Sequence, residues 1–339
     1  MNILNKFQTG IVLKHSTSLS FISEEQKTIL SNGLRHFILS NIPEQVVEAL
    51  KQMVAGTQLD KLTTLLPGDR LEKLISLLDS KGVVRPLYEN DFKETRFEKQ
   101  VEFFSDFVEN PNTPQQKLLK QLVCIIGCGG TGNIAVQHLV AAGVKNFILI
   151  DDDLVNITNF NRQFCFSQAD LNTPKVEALR NYILARDSEI KIHSRKQKIN
   201  SLESLYQALE GLKKPDFIVC CADTPPITIQ TLVVQYCLQQ NVACTFSGVR
   251  VYDGLVGPLL TEKSHMEKFI QHNQQIEKQQ YENSPTVISS SISYLNTMIA
   301  TLMIGDAIDL LAGIKKPLSL NTTLQYNADQ AKMITISEW

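Results

Sequence analysis

One segment constrains this chain more than any other, the run Gln121-Leu-Val-Cys-Ile-Ile-Gly-Cys-Gly-Gly-Thr-Gly132. An apolar, β-rich stretch ends directly in Gly127, Gly129, Gly130 and Gly132, and a helical pattern follows from Asn133 to Ala142. Glycines placed this way let the backbone turn tightly and approach a phosphate, whose charge the helix N-terminus stabilises. A second apolar strand, Phe147 to Ile150, ends at Asp151. That acid lies about 20 residues past the loop, where such folds hydrogen-bond a ribose hydroxyl. From Leu118 onward apolar strands alternate with helices, which predicts an α/β fold with a Rossmann-like, doubly wound parallel sheet. So far a nicotinamide-dependent oxidoreductase fits equally well.

The residues after Asp151 turn the reading towards a triphosphate. The run Asp151-Asp-Asp-Leu-Val-Asn-Ile-Thr-Asn-Phe-Asn-Arg-Gln163 and the segment Asn172-Thr-Pro-Lys-Val-Glu177 place polar and cationic residues just beyond the strand. Arg162 and Lys175 supply the positive charge that a triphosphate needs and a dinucleotide does not. Asp153, Asn159 and Gln163 complete the candidate nucleotide set. A later strand, Asp216 to Ala222, runs into Asp223-Thr-Pro-Pro226. Asp223 thus stands at a strand C-terminus, where a carboxylate beside phosphates implies Mg²⁺. The alternative is that Asp223 or Thr224 caps a helix started by Pro225.

Composition removes other classes. The formal net charge is −2 and there is no arginine-rich tract, so nucleic acid is not the expected partner. The N-terminus lacks an apolar signal region. The longest apolar stretch, Tyr294 to Ala312, contains Asn296, Asp306 and Asp309, so a buried or interface helix is expected rather than a membrane span. None of the seven cysteines forms a C-x-x-C pair. This predicts a cytoplasmic, disulfide-free chain with no zinc site. The basic cluster Lys191 to Lys198 reads as a solvated strand edge. The glutamine-rich stretch Glu262 to Glu282 reads as an exposed helix or lid.

Residues 1–86 form a separate α+β pattern. A strand is expected over Ile11 to Lys14 and a short apolar run at Leu19 to Ile22. Helices are expected over Glu24 to Leu39, Pro43 to Ala55 and Arg70 to Leu78, the first starting after Ser23. Short strands plus three helices resemble a small winged-helix-like module. Residues 87–117 read as a linker carrying one helix, and 118–339 as the nucleotide-binding domain.

This constellation resembles the ThiF/MoeB/HesA family and the adenylation domains of ubiquitin-activating enzymes. The matching motifs are GCGGTG, the Asp151 to Gln163 stretch, T-P-K-V-E and the strand ending in Asp223. The resemblance implies ATP-dependent activation of a carboxylate as an acyl-adenylate. It implies that Asp151 holds the ribose, that Asn159, Arg162, Gln163 and Lys175 contact phosphates, and that Asp223 positions Mg²⁺. It also implies a homodimer in which an R-x-x-R segment reaches the partner's site. Here that segment reads Arg96-Phe-Glu-Lys99, and a lysine cannot grip phosphate bidentately. No cysteine follows Cys244, so the usual thioester-forming cysteine is missing. The layout, a winged-helix-like lobe before this domain, is similar to enzymes that modify ribosomal precursor peptides, of the microcin-C and pantocin-A type. In these the lobe clamps the peptide leader, often as an added strand. Two other readings are activation of a ubiquitin-like sulfur carrier and a non-catalytic nucleotide-binding scaffold.

Overall fold

Three hydrophobic cores organise the chain, one in the unit Met1–Gln115 and two in the unit Gln116–Trp339. The computed structural model describes residues 3–22, 27–33, 35–280 and 290–339. The first unit contains β1 (Ile11–Leu13), β2 (Thr17–Ile22), β3 (Lys27–Asn32), β4 (Arg35–Ser40), α1 (Glu44–Ala55), α2 (Leu59–Thr63), α3 (Gly68–Ser80), β5 (Val84–Pro86) and α4 (Glu98–Phe104); α5 (Asn112–Lys120) crosses the boundary. Strand β1 pairs antiparallel with β5, and β2-β3-β4 form an antiparallel sheet. Leu50, Met53, Leu71, Ile75 and Leu78 from α1 and α3 close over Phe7, Ile11 and Leu30.

The helix expected over 24–39 is corrected here: 27–40 is the β3–β4 hairpin. Its expected start, Ser23 and Glu24, lies outside the described residues. The signal was present as Asn32-Gly33 between two apolar runs, a strong short-range hairpin marker. Gly33 takes φ +59°, a left-handed turn conformation that favours glycine. The N-terminal lobe is therefore α+β as expected, with more strand. Residues 87–115 fall in the first unit, and the expected single helix of the linker is two, α4 and α5.

The second unit contains β6 (Leu122–Ile126), α6 (Gly130–Ala142), β7 (Asn146–Ile150), α7 (Lys175–Arg186), β8 (Lys191–Arg195), α8 (Leu202–Leu209), β9 (Phe217–Cys220), α9 (Thr228–Gln240), β10 (Ala243–Val249), β11 (Asp253–Val256), α10 (Lys263–Gln280), α11 (Ser293–Ala312), β12 (Thr322–Asn327) and β13 (Lys332–Glu338). The eight strands lie in the order β13-β12-β11-β10-β9-β6-β7-β8. From β8 to β10 the pairing is parallel, and from β10 to β13 antiparallel. The central parallel strands β6, β7 and β9 are apolar and buried almost throughout because helices cover both faces, whereas the edge strand β8 is polar. The two cores, one around Phe147, Leu179 and Ile299 and one around Ile148, Val233 and Phe246, lie on these two faces.

Helix α11 is long and apolar enough to cross a membrane by length and composition. In this fold Leu295, Ile299, Met303 and Ile304 are buried in the core, and α11 packs on α6, β10 and β11. Helix α10 is amphipathic: Met266 and Phe269 are buried, and Phe246 stacks on Phe269 at 5.6 Å. Trp339 meets Phe269 edge-on at 4.9 Å and His272 at 5.1 Å, and its Nε1 donates to Thr323 Oγ1 at 2.9 Å. Within the stretch 262–282, expected as an exposed helix or lid, helix α10 is thus packed along one face. The side chains of Gln279 and Gln280, and Glu282 itself, lie outside the described residues.

Asp306 joins α11 to the strand region that follows. It is 4% exposed and accepts from Leu318 N at 2.8 Å, Ser319 N at 2.7 Å and Ser319 Oγ at 2.5 Å. Removing that acceptor strands buried donors, each of which carries its full desolvation cost. Asp306→Ala is expected to lower stability by roughly 2–4 kcal/mol. Urea unfolding should show a lower midpoint at unchanged slope, and an unchanged midpoint would contradict the anchoring role.

Candidate active site

Along the parallel part of the sheet, β8-β7-β6-β9-β10, the winding reverses between β6 and β9. Sheets of this type bind ligands beyond the strand C-termini at that reversal. A cavity of about 650 Å³ lies there, lined entirely by residues of the second unit.

The glycine loop forms its floor. Gly127 leaves β6 with φ +91°, and a Cβ there would sit 2.5 Å from Ala222 N. A Cβ on Gly132 would overlap the Gly127 carbonyl oxygen, and one on Gly130 would overlap Asn296 Oδ1. Only glycine permits this approach of strand, loop and helix. Helix α6 begins one residue after its N-cap Gly129, within the loop rather than at Asn133, and no side chain caps it. Its first-turn N–H groups and positive dipole end are therefore left available to an anion in the cavity.

Asp151 ties the loop to the neighbouring strand. Its Oδ2 accepts from Cys128 N at 2.6 Å and its Oδ1 from Asp153 N at 2.9 Å. Burial pushes its carboxyl above the usual carboxylate range, opposed by Lys175 and by these two hydrogen bonds. Lys175, the first residue of α7, is 6% exposed, and its Nζ pairs with Asp153 Oδ2 at 2.6 Å. The carboxylates of Asp151, Asp152 and Asp153 lie within 4.8 Å of one another.

Arg162 and Gln163 also reach the cavity. The Arg162 stem packs beside Gly130, and its Nη1 donates to Thr158 O at 3.0 Å and Asn161 Oδ1 at 2.8 Å. Gln163 is 1% exposed, and its Oε1 has no hydrogen-bond partner among the described residues. Asn159, expected with these donors, is not a lining residue. It is buried, and its Oδ1 accepts from Asn156 N at 2.8 Å, bracing the turn that presents Arg162.

Asp223 is exposed at the cavity, beyond β9, and accepts from Thr224 Oγ1 at 3.2 Å. The capping alternative does not hold: α9 begins at Thr228 after Ile227, with no side-chain cap. Arg96 and Lys99 belong to the first unit. There Arg96 lies over the Phe97 ring at 4.7 Å, and Lys99 on α4 pairs with Glu102 at 3.0 Å.

Sequence reasoning missed part of the lining. Strand β8 is an edge strand as expected, but the cluster over 191–198 is not wholly a solvated edge. Gln197 and Lys198 lie beyond the β8 C-terminus and line the cavity. Ser247 and Arg250 do the same around the end of β10. The strand-end rule that singled out Asp223 would have found them. Ser291 and Asn296 arrive from before and within α11 respectively, and no local pattern marks them.

A family model described as the ThiF family matches residues 97–338. Among curated proteins, the sulfur carrier protein ThiS adenylyltransferase of Escherichia coli is 34% identical over 109 residues, which is 32% of this chain and 42% of that protein. The chain spans less than half the length of the first curated relatives it matches. Among solved structures, E. coli MccB with AMPCPP and MccA superposes with a TM-score of 0.80 at 22% identity, covering 97% of each chain. PaaA superposes with a TM-score of 0.70 at 18% identity, covering 96% of this chain and 99% of that one. At these identities the likeness is one of fold.

The glycine packing separates two substitutions. Gly132→Ala must displace the Gly127 carbonyl, so nucleotide affinity is expected to fall roughly tenfold or more. Gly305 within α11 meets nothing within 4 Å of an added Cβ. Gly305→Ala is expected to leave affinity unchanged and raise stability by about 0.5–1 kcal/mol. Calorimetric titration with ATP and thermal melts of both variants check this. Equal affinities would show that the contact does not shape the site.

Proposed function

Because this chain belongs to the ThiF family, we propose that it is an ATP- and Mg²⁺-dependent enzyme that activates a carboxylate of a ribosomally made precursor peptide as an acyl-adenylate. The observation that carries this reading is the convergence of five features on one cavity at the sheet reversal. They are the uncapped α6 N-terminus, Asp151, Arg162, Lys175 and Asp223.

In the proposed reaction a peptide carboxylate oxygen attacks the α-phosphorus of ATP. The new P–O bond forms as the bond to the β-phosphate bridge breaks, and pyrophosphate leaves with that electron pair. The attacking carboxylate is already ionised, so no general base is needed. Asp151, held by the Cys128 and Asp153 N–H groups, presents its oxygens to the ribose. The α6 N-terminus, Arg162 and Lys175 spread positive charge along the phosphates, and Gln163 offers a neutral amide. Mg²⁺, held by Asp223, would add charge neutralisation at the phosphate under attack. Positioning and electrostatics then do most of the catalysis.

We assign residues 1–86 to peptide recognition, 118–339 to adenylation and 87–117 to the connection between them. Strands β2 and β4 each have β3 as their sheet neighbour, so their outer edges present backbone groups suited to an added peptide strand. In the proposed homodimer Arg96 or Lys99 serves the partner's phosphates, and no zinc is required. The activated group is a side chain, leading to dehydration and a cross-link, or the peptide C-terminus. The missing cysteine pairs favour the first.

The ThiS adenylyltransferase relative supports a second reading, activation of a sulfur carrier's C-terminus. The cavity's own thiol does not help that chemistry. Burial pushes Cys221 up to about 11, so at neutral pH it is a neutral thiol and a poor acyl acceptor. A pure scaffold would not need Arg162, Lys175 and Asp223 at one cavity.

Peptides encoded beside the gene, incubated with the protein, ATP and Mg²⁺, should show an adenylyl mass gain or loss of water. Pyrophosphate exchange appearing only with a ubiquitin-like carrier would favour the second reading. Asp223→Ala is expected to lower ATP turnover by roughly 100-fold or more with folding and dimerisation intact. Normal turnover in that variant would rule out the assigned role.

A further inference from the structure

Two cations that line the cavity, Lys198 and Arg250, have no task in the reaction just described. Arg250 follows β10 in the β10–β11 hairpin, lines the cavity, and its side chain is 47% exposed. It is held rather than free to swing. Its Nε donates to Asp253 Oδ1 at 2.6 Å, its Nη2 to Asp253 Oδ2 at 3.0 Å, and its backbone N to Asp253 O at 2.9 Å. Gln325 Nε2 braces Asp253 Oδ2 at 2.5 Å from β12. A guanidinium has five N–H donors in a planar fork. Asp253 takes one edge, and Nη1 makes no hydrogen bond among the described residues.

Strand order says what that open edge meets. Along the C-terminal edge of the sheet the lining residues run Lys198 after β8, Asp151 after β7, the glycine loop after β6, Asp223 after β9 and Arg250 near the end of β10. With the ribose at Asp151 and the phosphates over the loop, a group meeting the α-phosphate from the other side arrives over β9 and β10. At about 4.8 Å per strand, Arg250 stands roughly 10 Å from the loop, within reach of a group that itself touches phosphate. Building on the adenylation reading, we infer that Arg250 binds the substrate carboxylate before its attack.

The pairing with Asp253 suits this task. A bare buried cation would bind the carboxylate strongly in the ground state and blunt its nucleophilicity, which does not accelerate the reaction. Arg250, already balanced by Asp253, orients the carboxylate with a geometrically specific fork and a weaker electrostatic hold.

The test uses the full chain saturated with AMPCPP and Mg²⁺. It is titrated with ¹³C-carboxyl N-acetyl-L-glutamate N-methylamide, a side-chain carboxylate probe, and with N-acetylglycine, a C-terminal one, by NMR. Wild type should bind at least one probe. Arg250→Ala should weaken that binding roughly tenfold or more and leave AMPCPP affinity within about twofold. Asp253→Asn, which removes the balancing charge, should bind the probe at least as tightly as wild type. Unchanged probe binding in Arg250→Ala, a loss of AMPCPP affinity instead, weaker probe binding in Asp253→Asn, or no probe binding by wild type overturns the inference. Failure of wild type to bind AMPCPP at all would sink the adenylation reading itself, a separate result.

Discussion

Gly132 and the Gly127 carbonyl approach each other so closely that no side chain fits between strand and helix. That contact sets where α6 begins, and hence where its positive N-terminal end points. It also brings the end of β9 against the loop, because Gly127 equally has no room beside Ala222. The Cys128 N–H to Asp151 hydrogen bond then ties β7 to the same loop. Three strand ends are registered by two glycine contacts and one carboxylate. Asp151, Asp223 and the cations of the cavity inherit their positions from this arrangement.

Charge in the cavity is balanced before any ligand enters. Lys175 is held by Asp153 and Arg250 by Asp253, while Arg162 is oriented by the carbonyl of Thr158 and the amide of Asn161. Each of these three cations is held in place by a neighbour, so little of their conformational freedom remains to be lost on binding. Such preorganisation is where electrostatic catalysis draws its strength.

The doubly wound sheet and much of the cavity were legible in the sequence because their determinants are local. A glycine loop between strand and helix, and an acid at a strand end, are features of a few adjacent residues. The reading failed where partners are distant or periods ambiguous. Residues 27–40 alternate weakly enough to pass for an amphipathic helix until Asn32-Gly33 is given its weight as a turn. Asn159 reads as a ligand donor, yet its amide serves the backbone three residues away. Asn296 looks like a mere interruption of an apolar helix, but the tertiary packing of α11 on α6 brings its oxygen over Gly130. No window around residue 296 contains that information.

The single tryptophan gives one further property to the fold. Trp339 sits edge-on to Phe269 and His272 of α10 while its indole N–H is tethered to β12 through Thr323. Its ring therefore bridges helix and sheet, and its emission is set by both. Displacement of α10 would change the polarity around the ring. The chain thus carries an intrinsic optical gauge of whether α10 shifts during turnover, with no label to introduce and no second indole to confuse the signal.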